Sequence, residues 1–297
     1  MNQIANKPDT AAMLSNLADI IREYSVPVDQ YLRHICEPMR GGLWERLGIR
    51  RLTLDALECK PVIPDDDSED AGNWGRLKND GLVKELSGIF SSCRIIEFAD
   101  WAEVDDASGL WDGMYLDVIK PLRKRDYQLI FHLGDTVKKP VFQIDEILDI
   151  MCDYASYGMV TLILDGHEAD DLWCRLNGRT PGAPLSGIGS SGAEERYLFL
   201  FNTMKVDALL VLRSSRAMLF SREGQFDLVG RSPVSIREVI NTRSRFSAGY
   251  QVGLLLQLGA PHCIALGLAV SGGYAEPSSG SGSTLILGYI QDWIGGF

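Results

Sequence analysis

Two carboxylates three residues apart, Asp165 and Glu168, follow an apolar run in MVTLILDGHEADDL. At the end of a buried strand, such hard oxygen donors could hold Mg²⁺ beside a phosphate, directly or through water. The same spacing also starts a helix, with Asp165 as N-cap and Glu168 in the first turn, and spacing alone favours the cap. His132 and Asp135 in HLGDT are a second pair, with residue types suited to acid–base work. A turn in which Gly134 bends and Asp135 caps accounts for them more simply. A third stretch, INTRSRFSAGY, opens an apolar helical pattern. The first amides of a helix have no partner within it and attract anions. Arg243 and Arg245 would add positive charge there, and Arg237 lies nearby. Ordinary capping by Thr242 or Ser244 competes with that reading, because the stretch lacks the glycines that let amides approach phosphate closely. Elsewhere, the glycine-rich stretch 178–192 has no GKS or GKT and is no P-loop. No GxSxG elbow is present.

Elements that would carry these residues can be read from hydrophobic period. The stretch after Asp9 or Thr10 repeats apolar residues at helical spacing through Ile21. RRLTLDALE can hold a short strand. PDDDSEDAGNWG is acidic and reads as an exposed loop. From about residue 82 the order becomes regular. CRIIEFA, YQLIFHL, MVTLILD and DALLVLR read as buried strands, separated by the helical stretches 109–121, QIDEILDIMCDYAS, HEADDLWCRL and AEERYLFLFNTM. AMLFS and QFDLVG read as a hairpin around REG. Three helical stretches follow: FSAGYQVGLLLQL, PHCIALGLAVSGG and TLILGYIQDWI. Strands alternating with helices predict a three-layer α/β fold, with a mostly parallel central sheet and helices on both faces. Ligands of such sheets sit beyond the carboxyl ends of the strands, which is where Asp135 and Asp165 fall.

Composition narrows the partners. The 297 residues include 40 acidic and 29 basic side chains, for a formal charge of −11. Sequence-independent nucleic-acid binding needs a surplus of Lys and Arg, so no nucleic-acid partner is expected. No apolar run reaches the length of a membrane span, and the N-terminus lacks a basic-then-apolar signal. Six scattered cysteines and four dispersed histidines, with no CxxC, argue against a disulfide framework and a structural zinc site. A reducing cytoplasm is the expected location. The six tryptophans read as packing residues.

The C-terminal half resembles the ribokinase-type (PfkB) carbohydrate kinases. The resemblance rests on ordered segments: DALLVLRSS, the hairpin AMLFSREGQFDLVG, RFSAGYQVGLLLQL and CIALGLAVSGGY. Upstream, MVTLILDGHEADDL resembles the family's strand and N-x-x-E-A segment, and CRIIEFADW and GLWDGMYLDVIKPLRKRDYQLIFHLGD fall in its order. The resemblance spans roughly residues 85 to 292. It implies a ribokinase-like core over 81–297, preceded by an N-terminal region 1–80 carrying at most a degenerate lid and sugar-site segment, RGGLWERLG. It also implies ATP and Mg²⁺ as cofactors and a sugar or nucleotide as ligand.

Departures from the family pattern fall on the chemistry. The family carries G-x-G-D before this helix; its glycine amides form an anion hole and its Asp is the general base. Here Asn241, Thr242 and Arg243 hold the glycine positions, and Ser244 holds that of the base. Asn241, Thr242, Arg243 and Arg245 are the resemblance's nucleotide- or phosphate-binding candidates, and Asp165 and Glu168 its metal candidates. Asp165 replaces the family's Asn, while Glu168 is kept. A serine hydroxyl without a neighbouring base does not accept a proton near neutral pH. The resulting expectation is a sugar-kinase-like protein with impaired catalysis, a pseudokinase candidate that retains nucleotide or sugar binding. The alternatives are an active ATP-dependent carbohydrate kinase with a displaced base, and a non-catalytic scaffold or subunit, such as a homodimer formed through the N-terminal region.

Overall fold

The computed structural model describes residues 9–35, 42–54, 73–182, 191–231, 242–275 and 282–297. The acidic stretch 64–72, the loop 183–190, Cys36, Cys59, Arg237 and Asn241 lie outside them.

Along the chain, helices α1 (Thr10–Glu23), α2 (Ser25–Ile35) and α3 (Gly42–Arg46) precede strand β1 (Ile49–Leu54). Helices α4 (Trp74–Leu77) and α5 (Asp80–Ser92) lead to β2 (Cys93–Asp100). Helix α6 (Ala107–Met114) runs through a π-helical turn, Tyr115–Ile119, into α7 (Lys120–Leu122). Then come β3 (Tyr127–His132), α8 (Val141–Tyr154), β4 (Gly158–Asp165), α9 (Gly166–Leu176) and α10 (Ser191–Met204). Strands β5 (Ala208–Arg213), β6 (Arg216–Ser221) and β7 (Gly224–Val229) precede α11 (Thr242–Leu255), α12 (Ala260–Gly273) and α13 (Ser283–Ile294).

The strands form one mixed sheet in the order β1-β2-β3-β4-β5-β6-β7, with helices on both sides. The expected α/β architecture is therefore the one that forms. Strands β2, β3 and β4 are parallel neighbours, and β1 lies antiparallel to β2. The chain divides into two compact units.

One unit comprises Pro38–Val211 and Phe220–Arg222. Its strands send successive side chains to opposite faces. On one face Phe98 stacks on Phe131 with centroids 4.3 Å apart, while Trp111 of α6 and Tyr154 of α8 meet both rings. All four are buried, and burying each aromatic stabilises the fold by roughly 1.5–3 kcal/mol. The Tyr154 hydroxyl donates to the Trp111 carbonyl, so the ring's polar tip is not stranded in the core. The alternate residues of the same strands carry charge, as described below.

The other unit comprises Met1–Glu37, Leu212–Leu219 and Glu223–Phe297. Asp9 caps α1 by accepting the Ala12 amide at 3.2 Å. Helix α12 is buried on nearly every side, as a central helix must be. It lies against α11 through small residues: a Cβ on Gly249 would stand 2.6 Å from the Leu266 carbonyl oxygen, and one on Gly267 would stand 2.8 Å from the Phe246 ring. Asp29 of α2 accepts the Ser283 amide at 2.5 Å and so satisfies the start of α13. The β6–β7 hairpin turns at Arg222 and Glu223, and Arg216 and Asp227 face each other across it at 2.7 Å.

Candidate functional site

Parallel strands β2, β3 and β4 end side by side at Asp100, His132 and Asp165. This carboxyl edge is where open α/β sheets receive ligands.

At the end of β4, one oxygen of Asp165 accepts the amides of His167 and Glu168, each at 2.8 Å. Glu168 reaches back to accept the Asp165 amide at 2.9 Å, completing a reciprocal capping box. The structure thus brings the two candidate metal ligands together and gives both a structural duty. Both are half-buried, so they remain within reach of a solvated cation. Their donor set is hard and anionic, as Mg²⁺ requires, and Mg²⁺ commonly takes one or two carboxylates and completes its shell with water and phosphate. Among the described residues no group of three or more His, Cys, Asp or Glu side chains gathers as a metal cage. The residues therefore fit a Mg²⁺ shared with a phosphate, not a closed protein site.

The capping duty is read by substitution. Asp165→Ala removes the cap and is expected to cost about 0.5–2 kcal/mol of stability, whereas Asp165→Asn keeps a capping oxygen and most of the stability. Chemical denaturation of both variants measures this.

At the end of β3, His132 and Asp135 do not meet as a pair. Gly134 adopts φ +67°, and Asp135 caps the short turn Thr136–Lys138 by accepting the Val137 amide at 3.1 Å. His132 is fully buried and its Nε2 lies 2.8 Å from Glu97 Oε1. Glu97 also receives Arg51 Nη1 on its other oxygen at 2.5 Å, and that guanidinium is only 3% exposed. Burial pushes the Glu97 carboxyl up, but Arg51 and the His132 hydrogen bond outweigh it and hold the group well below the usual carboxylate range. With Glu97 ionised, His132 donates its Nε2–H. Residue-type reasoning missed this Arg–Glu–His cluster. Its signal was charge set among apolar residues: Arg51 in RRLTL, Glu97 in CRIIEFA and His132 in YQLIFHL.

At the end of β2, Asp100 pairs with Arg50 through Nη2 at 3.0 Å. Antiparallel pairing places the start of β1 beside the end of β2, so Arg50 reaches the ligand edge from the neighbouring strand.

In the other unit, Thr242, Arg243, Ser244 and Arg245 form the first turn of α11, each half-buried. No acidic side chain stands in that turn. Asn241, the remaining phosphate-site candidate, lies outside the described residues. The tryptophans serve mainly as packing: Trp44, Trp74, Trp101, Trp111 and Trp293 are buried, while Trp173 is half-buried under the guanidinium of Arg179 at 4.9 Å. Cys93, Cys174 and Cys263 are buried free thiols, and burial raises the Cys263 thiol to about 12. No helix among the described residues is long and apolar enough to cross a membrane.

No family model matches the chain, and no curated protein does. Among solved structures the chain is similar to Arabidopsis thaliana ribokinase complexed with ribose and ATP, at 14% identity and TM-score 0.48, over 72% of this chain and 59% of that one. It is also similar to Anopheles gambiae adenosine kinase in complex with P1,P4-di(adenosine-5) tetraphosphate, at 14% identity and TM-score 0.47, over 70% and 56% of the two chains. Thermotoga maritima ribokinase aligns at 12% identity and TM-score 0.46, over 69% and 59%. The aligned part therefore spans less than two thirds of each of these structures.

Proposed function

We propose that this chain is a sugar-kinase-like protein that binds a nucleotide or a small polyol but transfers phosphate poorly or not at all. The observation that carries the reading is the first turn of α11. It carries two arginines, Arg243 and Arg245, and no carboxylate that could take a proton from a sugar hydroxyl. Side chains also replace the glycines through which family members bring amides against the phosphate. Loss of a general base typically lowers rate by about 10²–10⁴-fold, and loss of oriented donors around the phosphate removes a term of comparable size. Binding is affected less, because a helix N-terminus and arginine charge still attract phosphate.

The metal candidates fit the same reading. Asp165 and Glu168 would supply Mg²⁺ with carboxylate ligands at the end of β4. The capping box fixes both carboxylates before any ligand arrives. The ribokinase-type resemblance of MVTLILDGHEADDL and RFSAGYQVGLLLQL supports nucleotide and sugar as the ligand classes.

Titration calorimetry with ADP and Mg²⁺, combined with a coupled phosphorylation assay on common sugars, tests the proposal. The expected result is measurable binding with turnover at least 100-fold below that of the quadruple variant Asn241→Gly, Thr242→Gly, Arg243→Gly, Ser244→Asp. Robust Mg²⁺-dependent turnover by the unaltered protein, lost in Glu168→Ala, would instead establish an active kinase with a displaced base. Absence of binding by both nucleotide and sugars would favour the scaffold.

A further inference from the structure

Arg50 occupies an unusual place. It belongs to the edge strand β1, at an irregularity in the register between Ile49 and Arg51, where β1 runs antiparallel beside the last residues of β2. Its neighbour in sequence, Arg51, is locked into the buried cluster with Glu97 and His132. That cluster leaves β1 little freedom to slide or roll, so the base of the Arg50 side chain is fixed. Asp100 fixes its tip. The Arg50 and Asp100 side chains are each only 19% exposed, and Asp100 makes no cap hydrogen bond to the turn that follows it. The loop after β3 closes over the pair: Gly134 lies so near that a Cβ there would stand 2.9 Å from the Asp100 Cβ. The Ala102 amide donates to the Leu133 carbonyl at 2.9 Å and ties the two loops together.

Among the described residues Arg50 spends one N–H on Asp100, and none of its nitrogens is both buried and without a partner. Its remaining N–H groups are therefore not sealed in the core. A guanidinium is a planar fork whose donors match the two oxygens of a carboxylate or phosphate. An oriented, partly desolvated arginine loses little side-chain freedom on binding, and its charge is screened less than that of a free surface arginine. Two strand spacings, roughly 10 Å, separate the ends of β2 and β4. That span suits a small molecule touching Arg50 at one end and the Asp165–Glu168 cap at the other.

We propose that Arg50 recognises an anionic group, a carboxylate or a phosphate, at one end of a small polyol, with Asp100 as the residue that positions it. The proposal rests on the reading of the chain as a sugar-kinase-like binder and names the substrate class of that site: acidic sugars in preference to neutral ones.

Calorimetry with D-gluconate, D-glucose 6-phosphate, D-glucose, inorganic phosphate and ADP tests it on the full chain, alongside Arg50→Gln, Arg50→Lys and Asp100→Asn. Gluconate or glucose 6-phosphate should bind at least tenfold more tightly than glucose, and the stronger of the two tells carboxylate from phosphate. Arg50→Gln should abolish that preference. Arg50→Lys keeps the charge without the fork and should retain only part of it, which also controls for folding. Asp100→Asn should weaken the preference without inverting it. Equal affinity of the unaltered protein for glucose and both acidic sugars overturns the proposal. So does a preference that survives Arg50→Gln, or binding of phosphate alone as tight as that of glucose 6-phosphate. If acidic sugars bind through Arg50 while ADP does not, the proposal holds and the nucleotide part of the functional reading falls. If ADP binds and no acidic sugar does, the outcome is the reverse.

Discussion

Replacing Glu97 by alanine is expected to remove about 3–5 kcal/mol of stability, the usual cost of leaving a buried charge without its partner. The stranded group is Arg51, whose guanidinium is only 3% exposed and donates to Glu97 Oε2 at 2.5 Å. Whole domains hold about 5–15 kcal/mol in total, so this one change consumes a large share. Urea denaturation at pH 7 measures it. The double variant Arg51→Met, Glu97→Leu should lose less than Glu97→Ala, because it removes both charges together. The pH dependence has a definite sign. The folded protein holds the Glu97 carboxyl below its ordinary value of 4.5, so its contribution is present above that pH and is lost as pH falls through the lower folded value. The stability gap between the unaltered protein and Glu97→Gln should therefore be constant near neutrality and shrink only below about pH 4.5. A gap that instead changed near neutrality would overturn this assignment to Glu97.

Gly249→Val is expected to be the most damaging small change in the C-terminal helices. The added Cβ would sit 2.6 Å from the Leu266 carbonyl oxygen and 2.9 Å from the Gly267 Cα. Both obstacles are backbone, so no rotamer change relieves them, and α11 and α12 must move apart. Overpacking of this kind costs about 1–3 kcal/mol and sometimes more. Gly88→Ala provides the contrast. Gly88 lies exposed in α5 with nothing within 4 Å of a built Cβ, so alanine there should stabilise the helix by about 0.5–1 kcal/mol. Thermal denaturation of the two variants should move in opposite directions.

Much of the architecture was legible because it rests on period and composition. CRIIEFA, YQLIFHL, MVTLILD and DALLVLR are apolar enough to be strands buried on both faces, and each is one. The cap at Asp9 and the box at Asp165 and Glu168 follow from local chemistry that a few residues specify. The partnership of Arg51, Glu97 and His132 was not legible, because it depends on register between strands 35 and 46 residues apart. The antiparallel direction of β1 was hidden for the same reason. The π-helical turn after α6 also left no mark in GMYLDVIK, since its apolar spacing fits an ordinary helix. At the ligand edge, Asp165 and Glu168 stood out by type. Arg50 and Asp100 did not, because their meaning comes from which strand ends lie together.

The two faces of β2 carry one more consequence. Phe98 looks toward Phe131, Trp111 and Tyr154, while Glu97, one residue earlier, looks toward Arg51 and His132. A strand paired one residue out of step exchanges its faces. For β2 that exchange would drive a carboxylate into the aromatic layer and turn a phenyl ring toward a guanidinium. In a strand with only apolar side chains on both faces, such a slip would exchange one apolar side chain for another. Here the slip would set an ion against hydrocarbon, so the cluster specifies the register of β2.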